Sequence, residues 1–143
     1  MNHWLRDPFY WATLAGGVGL VLLARLLLGP GARPVPLELL LLVVCYPLLE
    51  EFLFRGLLQP WLLARTRAYR VGPITLANVL TSLLFALVHV PARGGLHGLL
   101  VFVPSLAFGY FRDRHDSLWP AVVLHASWNA AAVLLLGRAT APL

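Results

Sequence analysis

The sequence predicts an all-α membrane protein, a polytopic transmembrane helix bundle of about five spans that forms a single domain over residues 1–143. Two features of its composition lead to this fold class. Hydrophobic residues make up 59% of the chain and charged residues only 12%, whereas a soluble domain carries about 25% charged residues. Six acids and eleven bases cannot cover a globule of this length without leaving large apolar patches. A bilayer is therefore the solvent that fits this chain.

The length of the apolar runs is the third feature, because a helix needs about 20 mostly apolar residues to cross a hydrocarbon core. Five runs meet or approach this length: residues 9–28, 39–58, 71–90, 94–111 and 117–136. The links between them hold Pro, Gly or Arg, which are turn and breaker signals. The first run is as long as a full span, and the charges of Arg6 and Asp7 before it cancel. We therefore interpret it as a retained anchor and not as a secretory signal.

The placement of arginine predicts how the spans are oriented. All eleven basic residues are arginine, which is typical of a GC-rich bacterial genome. The N-terminus and the second and fourth connections share one side, and that side carries more arginine than the other. Its arginines are Arg6, Arg65, Arg67, Arg70, Arg112 and Arg114, against Arg33, Arg93 and Arg138 opposite, with Arg25 near the boundary. We expect a bacterial inner-membrane protein with a cytoplasmic N-terminus, whose arginines face lipid headgroups and no nucleic acid.

Ionisable residues inside an apolar helix are costly, so each is a candidate functional residue. Glu50 and Glu51 lie within the second run, and Arg55 follows them. Glu51 and Arg55 are four residues apart, share a helix face and can therefore form an ion pair. Glu50 lies about 100° around the helix from Glu51, so we assign Glu50 to general acid–base chemistry. The alternative is that all three residues are polar contacts that hold helices together.

Polar residues in two later runs complete the candidate set. His89 closes the third run, and His125 and Asn129 lie four residues apart in the middle of the fifth, which puts both on one helix face. A membrane-buried imidazole and carboxamide need polar partners or a water-filled cavity, and either can donate to an oxyanion. The alternative is interhelical hydrogen bonding, worth about 0.6–2 kcal/mol per contact. Three helices that contribute Glu, His and His/Asn favour one cluster.

Two other hydrolytic mechanisms are disfavoured by the sequence. It contains no GxSxG segment, and this argues against a rhomboid-like serine mechanism. It contains no HExxH segment either, so a gluzincin-type zinc site is not expected. Zinc bound by two histidines and a glutamate from separate helices stays open. Our expectation is a hydrolase that needs no cofactor.

Three short motifs resemble those of a known family. The segment from Glu50 to Gly56 resembles the EExxxR motif of the CPBP intramembrane proteases, also called the CAAX-protease, bacteriocin-processing or Abi family. Phe85 to His89 resembles the family's FxxxH motif, and His125 to Asn129 resembles its HxxxN motif. Each motif alone is weakly specific, but their order and their location in apolar runs make the set specific. Together they span residues 50–129, slightly over half of the chain.

The resemblance implies a glutamate-dependent endopeptidase with its site inside the membrane. It assigns activation of the hydrolytic water to Glu50 and His89, and stabilisation of the tetrahedral oxyanion to His125 and Asn129. The second glutamate and the arginine of the first motif would support them. The implied substrate is a membrane-anchored or lipidated protein, such as a CAAX protein, a bacteriocin leader or a C-terminal sorting signal. The non-enzymatic alternative is a membrane scaffold, immunity protein or transporter subunit whose polar cluster is structural.

The chain departs from the family pattern in two respects. Family members commonly have more spans, so a substrate-guiding part is either missing here or supplied by a homo-oligomer. Counting about 1.5 Å per residue from the cytoplasmic ends places Glu50 and His125 about 12 Å and 10 Å deep, but His89 about 25 Å deep. One site cannot hold all three at those depths. Either the third helix starts later and continues past Pro91, or helix tilts close the gap.

Overall fold

The computed structural model describes residues 3–29 and 35–137, and most of them are helical. The predicted all-α class is therefore confirmed. The strands in the described chain are two residues each, β1 (Arg70–Val71) and β2 (Ile74–Thr75), paired antiparallel in one hairpin. Arg33 and Arg138, which entered the orientation argument, lie outside the described residues, as does the rest of residues 30–34.

Helices account for nearly all of the remaining elements. In chain order they are a 3₁₀ turn (His3–Arg6), α1 (Pro8–Leu28), α2 (Pro36–Leu39), π1 (Leu40–Cys45), α3 (Tyr46–Glu51), π2 (Phe52–Leu58), α4 (Gln59–Arg65), α5 (Leu76–Arg93), α6 (Gly95–Leu100), α7 (Phe102–His115) and α8 (Trp119–Leu136). The starts of two long helices are capped in the usual way. The Asp7 carboxylate accepts a hydrogen bond from the Phe9 N–H, and the Thr75 hydroxyl accepts one from the Asn78 N–H.

Two described helices, α1 and α8, are long and apolar enough to cross a membrane, judged by length and composition. A third helix, over Leu76–Ala92, is apolar but shorter. These helices overlap three of the five predicted runs. The count of five spans is not confirmed and stays a prediction.

The predicted third and fourth runs have the wrong boundaries. Residues 70–75 form a hairpin instead of a helix, and Gly72 makes its turn with φ +60°, a conformation that favours glycine. Helix α5 starts at Leu76 and continues through Pro91 to Arg93, which is one of the two explanations offered for the depth discrepancy. The fourth run is two helices, α6 and α7, separated at Val101.

The described residues group into two compact units, and each is described by itself. The first unit consists of the described residues of 1–49 and 122–140, and the second unit consists of residues 50–121. In the first unit, α1 and α8 contact each other through Trp128, whose indole Nε1 donates to the carbonyl of Leu14 at 3.1 Å. A Cβ on Gly17 would collide with the Trp128 ring, so the small residue lets the two helices approach.

The second unit is held together by polar contacts to the main chain of α7. The Gln59 amide of α4 donates to the Gly109 carbonyl at 2.9 Å, and the Asn78 amide of α5 donates to the Leu106 carbonyl at 3.0 Å. Side-chain amides that bond to the main chain of a neighbouring helix are typical of helix packing in membranes.

Helix α5 buries several polar side chains and exposes several large apolar ones, which is unusual in a water-soluble protein. Asn78, Thr81 and Ser82 are buried on the face that packs inside the unit, whereas Leu83 and Val88 are exposed, at 45% and 57%. An apolar exterior around a polar interior is favourable in lipid and unfavourable in water. The pattern therefore agrees with the membrane environment predicted from composition.

The two π segments share a feature that the sequence explains. Each ends two residues before a proline: π1 before Pro47 and π2 before Pro60. Proline has no N–H, and its ring clashes with the carbonyl four residues earlier. Widening the preceding turn is one way in which a helix accommodates this. Both segments lie in the part of the chain that carries the first motif or immediately precedes it.

Candidate active site

Helices α3 and α5 bring Glu50 and His89 together in the second unit. The carboxylate Oε1 of Glu50 lies 3.8 Å from the imidazole Nε2 of His89, and the two side chains are 27% and 15% exposed. Both side chains are therefore mostly buried but not fully enclosed. The depth mismatch between these two residues was calculated for a helix over residues 71–90. Helix α5 instead starts at Leu76 and continues beyond His89 to Arg93, so that calculation no longer applies.

The orientation of the His89 ring is fixed by its own helix. Its Nδ1 lies 2.7 Å from the main-chain carbonyl of Phe85. A carbonyl only accepts, so Nδ1 carries the hydrogen, and in the neutral ring Nε2 is the acceptor. In this neutral form, the acceptor nitrogen faces the Glu50 carboxylate. Their 3.8 Å separation exceeds a direct hydrogen bond, and one water about 2.8 Å from each atom can bond to both.

Glu51 and Arg55 form the ion pair that their spacing predicts. The guanidinium Nε lies 3.3 Å from the second carboxylate oxygen, and both side chains are 0% exposed. A buried charge requires a paired partner and further hydrogen bonds, because desolvation is otherwise too costly. The pair therefore fixes the geometry of the turn that follows Glu50.

Three phenylalanine rings surround the Arg55 guanidinium. Its Cζ lies 4.7 Å from the ring centre of Phe85, 5.5 Å from that of Phe108 and 5.9 Å from that of Phe54. The Phe85 ring also packs against the His89 imidazole, with ring centres 4.3 Å apart. Phe85 therefore contacts both the buried arginine of the first motif and the histidine of the second.

Helix α7 holds Arg55 at both its side chain and its main chain. Nη2 of Arg55 donates to the hydroxyl of Ser105 and to its carbonyl, and these are charge-assisted hydrogen bonds. The Nε of Arg112 donates to the carbonyl of Arg55 at 3.1 Å, and the Nη1 of Arg112 donates to the Asp116 carboxylate. The first motif is thus anchored by a helix that carries none of the three motifs.

His125 and Asn129 lie one turn apart on α8, within the first unit. His125 is buried at 6% exposure. The Asn129 Nδ2 donates to the carbonyl of Leu42 at 2.9 Å, which uses one of its two N–H groups. The six candidate residues therefore fall into two described groups: Glu50, Glu51, Arg55 and His89 in the second unit, and His125 with Asn129 in the first.

A comparison with protein families finds a match to the family described as type II CAAX prenyl endopeptidase Rce1-like, over residues 32–131. The match covers more than two thirds of the chain and includes all three motifs. The chain belongs to this family. The resemblance drawn from the motifs is confirmed. No curated protein matches the chain, and no solved structure does either.

Membership in the CAAX endopeptidase family identifies the chain as a membrane protein of a family of intramembrane endopeptidases. The matched region starts after α1, which lies outside it. Helix α1 nevertheless contacts the third motif of this family, through the bond between Trp128 and Leu14. An element beyond the matched region thus packs against the helix that carries His125 and Asn129.

Sequence reasoning missed several residues that contact Arg55 of the first motif. The sequence does not single out Ser105, and Arg112 enters the prediction only as a loop charge that sets orientation. The available signal was their spacing: seven residues apart, they lie on one face of a helix. Phe54 and Phe108 gave no signal, because an aromatic residue in an apolar helix has no distinguishing pattern.

The zinc alternative concerns the same residues. Within residues 3–29 and 35–137, no three His, Cys, Asp or Glu side chains are grouped as metal ligands. The two histidines of the motifs belong to different units. Zinc dependence stays the alternative that the sequence left open.

Proposed function

We propose that the chain is a glutamic-type intramembrane endopeptidase that hydrolyses a peptide bond in a membrane-anchored or lipidated protein. The observation that carries this proposal is the 3.8 Å approach of the Glu50 carboxylate to the Nε2 acceptor of His89. Two acceptors at this distance can each take one hydrogen of the same water. The water's lone pairs are then left to attack a carbonyl carbon.

In the proposed reaction, Glu50 is the general base. As the water oxygen bonds to the substrate's carbonyl carbon, Glu50 takes one of the water's protons, and the carbonyl oxygen becomes the oxyanion. When the tetrahedral intermediate collapses, the C–N bond breaks and Glu50 returns the proton to the departing amine. General acid–base catalysis of this kind contributes about 10²–10⁴ in rate. His89 holds the water and keeps its orientation.

The third motif supports the assignment of the oxyanion role to His125 and Asn129. The Asn129 amide has two N–H groups, and Leu42 uses one of them, so the second can donate to a developing oxyanion. His125 is the second proposed donor, one turn away on the same helix face. These two roles rest on the sequence motif and on the donor chemistry of each residue.

Glu51 and Arg55 are proposed to act through position and not by contact with substrate. Their buried pair and the bonds from Arg55 to Ser105 leave the turn after Glu50 little freedom. A water-activating carboxylate must be held within a fraction of an ångström of its working position.

The family is described as type II CAAX prenyl endopeptidase Rce1-like, and a lipidated CAAX protein is among the substrates proposed here. We propose that the enzyme lies in a bacterial inner membrane with its N-terminus in the cytoplasm and cleaves a lipidated protein, a bacteriocin leader or a C-terminal sorting signal. The arginine distribution and the apolar helices support this placement. A homo-oligomer is the proposed source of any missing substrate-guiding part.

The test is cleavage of an internally quenched peptide that ends in a farnesylated CAAX sequence, together with a comparison of membrane proteomes. Glu50→Gln keeps the size of the side chain and removes the base, so we expect kcat to fall by about 10²–10⁴. Glu38→Gln is the matched control, because Glu38 lies on α2, outside the three motifs, and accepts a local bond from the Val35 N–H. It should leave cleavage unchanged.

Full activity of Glu50→Gln would rule out the glutamic mechanism. If Glu50→Gln, His89→Ala and His125→Ala instead lower thermal stability and expression, and no substrate accumulates in the membrane proteome, the chain is a scaffold with a structural polar cluster. Activity that depends on added zinc and disappears on chelation would identify the metal version of the enzyme.

A further inference from the structure

One main-chain carbonyl in π1 is positioned to accept a side-chain donor. The last i→i+5 hydrogen bond of this segment runs from the N–H of Tyr46 to the carbonyl of Leu41. The next step would run from residue 47 to Leu42, but residue 47 is proline and has no N–H. The Leu42 carbonyl instead accepts the Asn129 Nδ2–H at 2.9 Å.

The second π segment repeats this arrangement with different residues. Its last i→i+5 bond runs from the N–H of Gln59 to the carbonyl of Phe54. The next donor would be residue 60, again a proline. The carbonyl that this leaves, that of Arg55, accepts the Arg112 Nε–H at 3.1 Å. Two independent segments thus pair a missing proline donor with a side chain from another helix.

We infer that Pro47 is a positioning residue for Asn129. By withholding an N–H, it reserves the Leu42 carbonyl for the Asn129 amide. That bond fixes the amide plane, and therefore the direction of the second N–H. The inference rests on the proposed function to the extent that this second N–H is the one assigned to the oxyanion. Pro60 acts in the same way on the first motif, through Arg112 and the Arg55 carbonyl.

Two other prolines, Pro104 and Pro120, do not have this effect, because of where they lie. Pro104 is the third residue of α7, and Pro120 is the second residue of α8. The N–H groups of a helix's first turn have no partner within that helix, so proline there removes no hydrogen bond that the helix would have made. Pro104 is therefore a suitable control proline.

The test compares two ways of changing residue 47. Pro47→Ala and Pro47→Val restore the N–H, so that it competes with Asn129 for the Leu42 carbonyl. Replacing Pro47 by lactic acid, which makes an ester bond, removes the ring but supplies no N–H. The ester therefore separates the effect of the missing donor from the effect of the ring. Pro104→Ala is the control on α7, and two N–H variants guard against one that fails to fold.

The first readout is the ¹H–¹⁵N signal of the Asn129 side-chain amide in micelles. Asn2, Asn78, Asn129 and Gln59 carry the four side-chain amides of the chain, so the signal can be assigned. In Pro47→Ala we expect this signal to shift and to lose its protection from hydrogen exchange. In the ester variant and in Pro104→Ala it should keep its wild-type position.

The second readout is the kinetics of cleavage of the farnesylated CAAX peptide. Removing one oxyanion donor costs about 10²–10³ in kcat. We expect misdirection of the donor in Pro47→Ala to lower kcat by about 10–100-fold with little change in KM. The ester variant should retain most of the wild-type kcat.

The outcomes separate this inference from the proposed function. An unchanged Asn129 signal in Pro47→Ala, or an equal loss in the ester variant, would overturn the inference, because the restored N–H would not be the cause. If the signal moves in Pro47→Ala alone while kcat stays at the wild-type value, the anchor is correct and the catalytic role of Asn129 is wrong.

Discussion

At the scale of single residues, the molecule separates two adjacent glutamates into different environments. Glu51 is fully buried against Arg55, whereas Glu50 keeps 27% of its side chain exposed and faces His89. Consecutive helix positions differ by about 100°, which suffices to turn one carboxylate to the packed interior and the other to the histidine. Face geometry predicted this division from the sequence.

The partners of these residues were less predictable. The i,i+4 spacing of Glu51 and Arg55 is local, so the sequence revealed their ion pair. The contact of Arg55 with Ser105 joins residues 50 positions apart, and no periodicity in the sequence encodes such a separation. It depends on how α7 packs in the second unit, which only the structure shows.

Ser105→Ala tests whether the bond to Arg55 matters more than an ordinary buried hydroxyl. A hydrogen bond to a charged group is worth about 1.5–3 kcal/mol, against about 1 kcal/mol for a neutral one. Ser82→Ala is the matched control, because Ser82 is equally buried but donates to the neutral Asn78 amide. We expect Ser105→Ala to lower the free energy of unfolding in detergent by about 1 kcal/mol more than Ser82→Ala, and to reduce cleavage. Equal losses for the two variants would mean that Ser105 has no special role.

At the scale of elements, the sequence predicted where helices occur better than where they begin and end. The hairpin at residues 70–75 contains Val71 and Ile74, so a hydropathy window cannot separate it from the helix that follows. Pro91 looked like a helix terminator but lies within α5, as proline in membrane helices often does. The sequence does signal the π segments, through Pro47 and Pro60.

The contact of α6 with α5 depends on Gly98. A Cβ there would lie 2.6 Å from the Cα of Val90 and 2.9 Å from the carbonyl oxygen of His89. Main-chain atoms cannot move aside as a flexible side chain does, so α6 would have to shift away from the turn that holds His89.

Gly98→Ala should therefore destabilise the protein by about 1–3 kcal/mol and reduce cleavage. Gly95→Ala is the control on the same helix, because a Cβ at Gly95 has no described atom within 4 Å. Thermal unfolding in detergent measures both. A Gly98→Ala variant as stable as Gly95→Ala would show that α6 does not pack on α5 as described.

At the scale of the whole molecule, composition predicted both the solvent and the class. The chain has only 12% charged residues, and the second unit buries polar side chains in its interior, namely Glu51, Arg55, Gln59 and Asn78. The match to the CAAX endopeptidase family over residues 32–131 agrees with the three motifs. The number of spans was harder to predict. An apolar run in the sequence can contain a hairpin or a glycine break, so one run does not always correspond to one helix.

The central claim is that Glu50 and His89 act on one water as a single unit. It is tested by a double-mutant cycle on kcat/KM for the farnesylated CAAX peptide, using Glu50→Gln, His89→Ala and the double variant. Residues that act as a unit give losses that do not multiply, because removing either one already removes the joint function. A parallel cycle that combines Glu50→Gln with Glu38→Gln should show no coupling. We predict that the double variant cleaves no more slowly than Glu50→Gln; a double loss equal to the product of the two single losses would contradict the account.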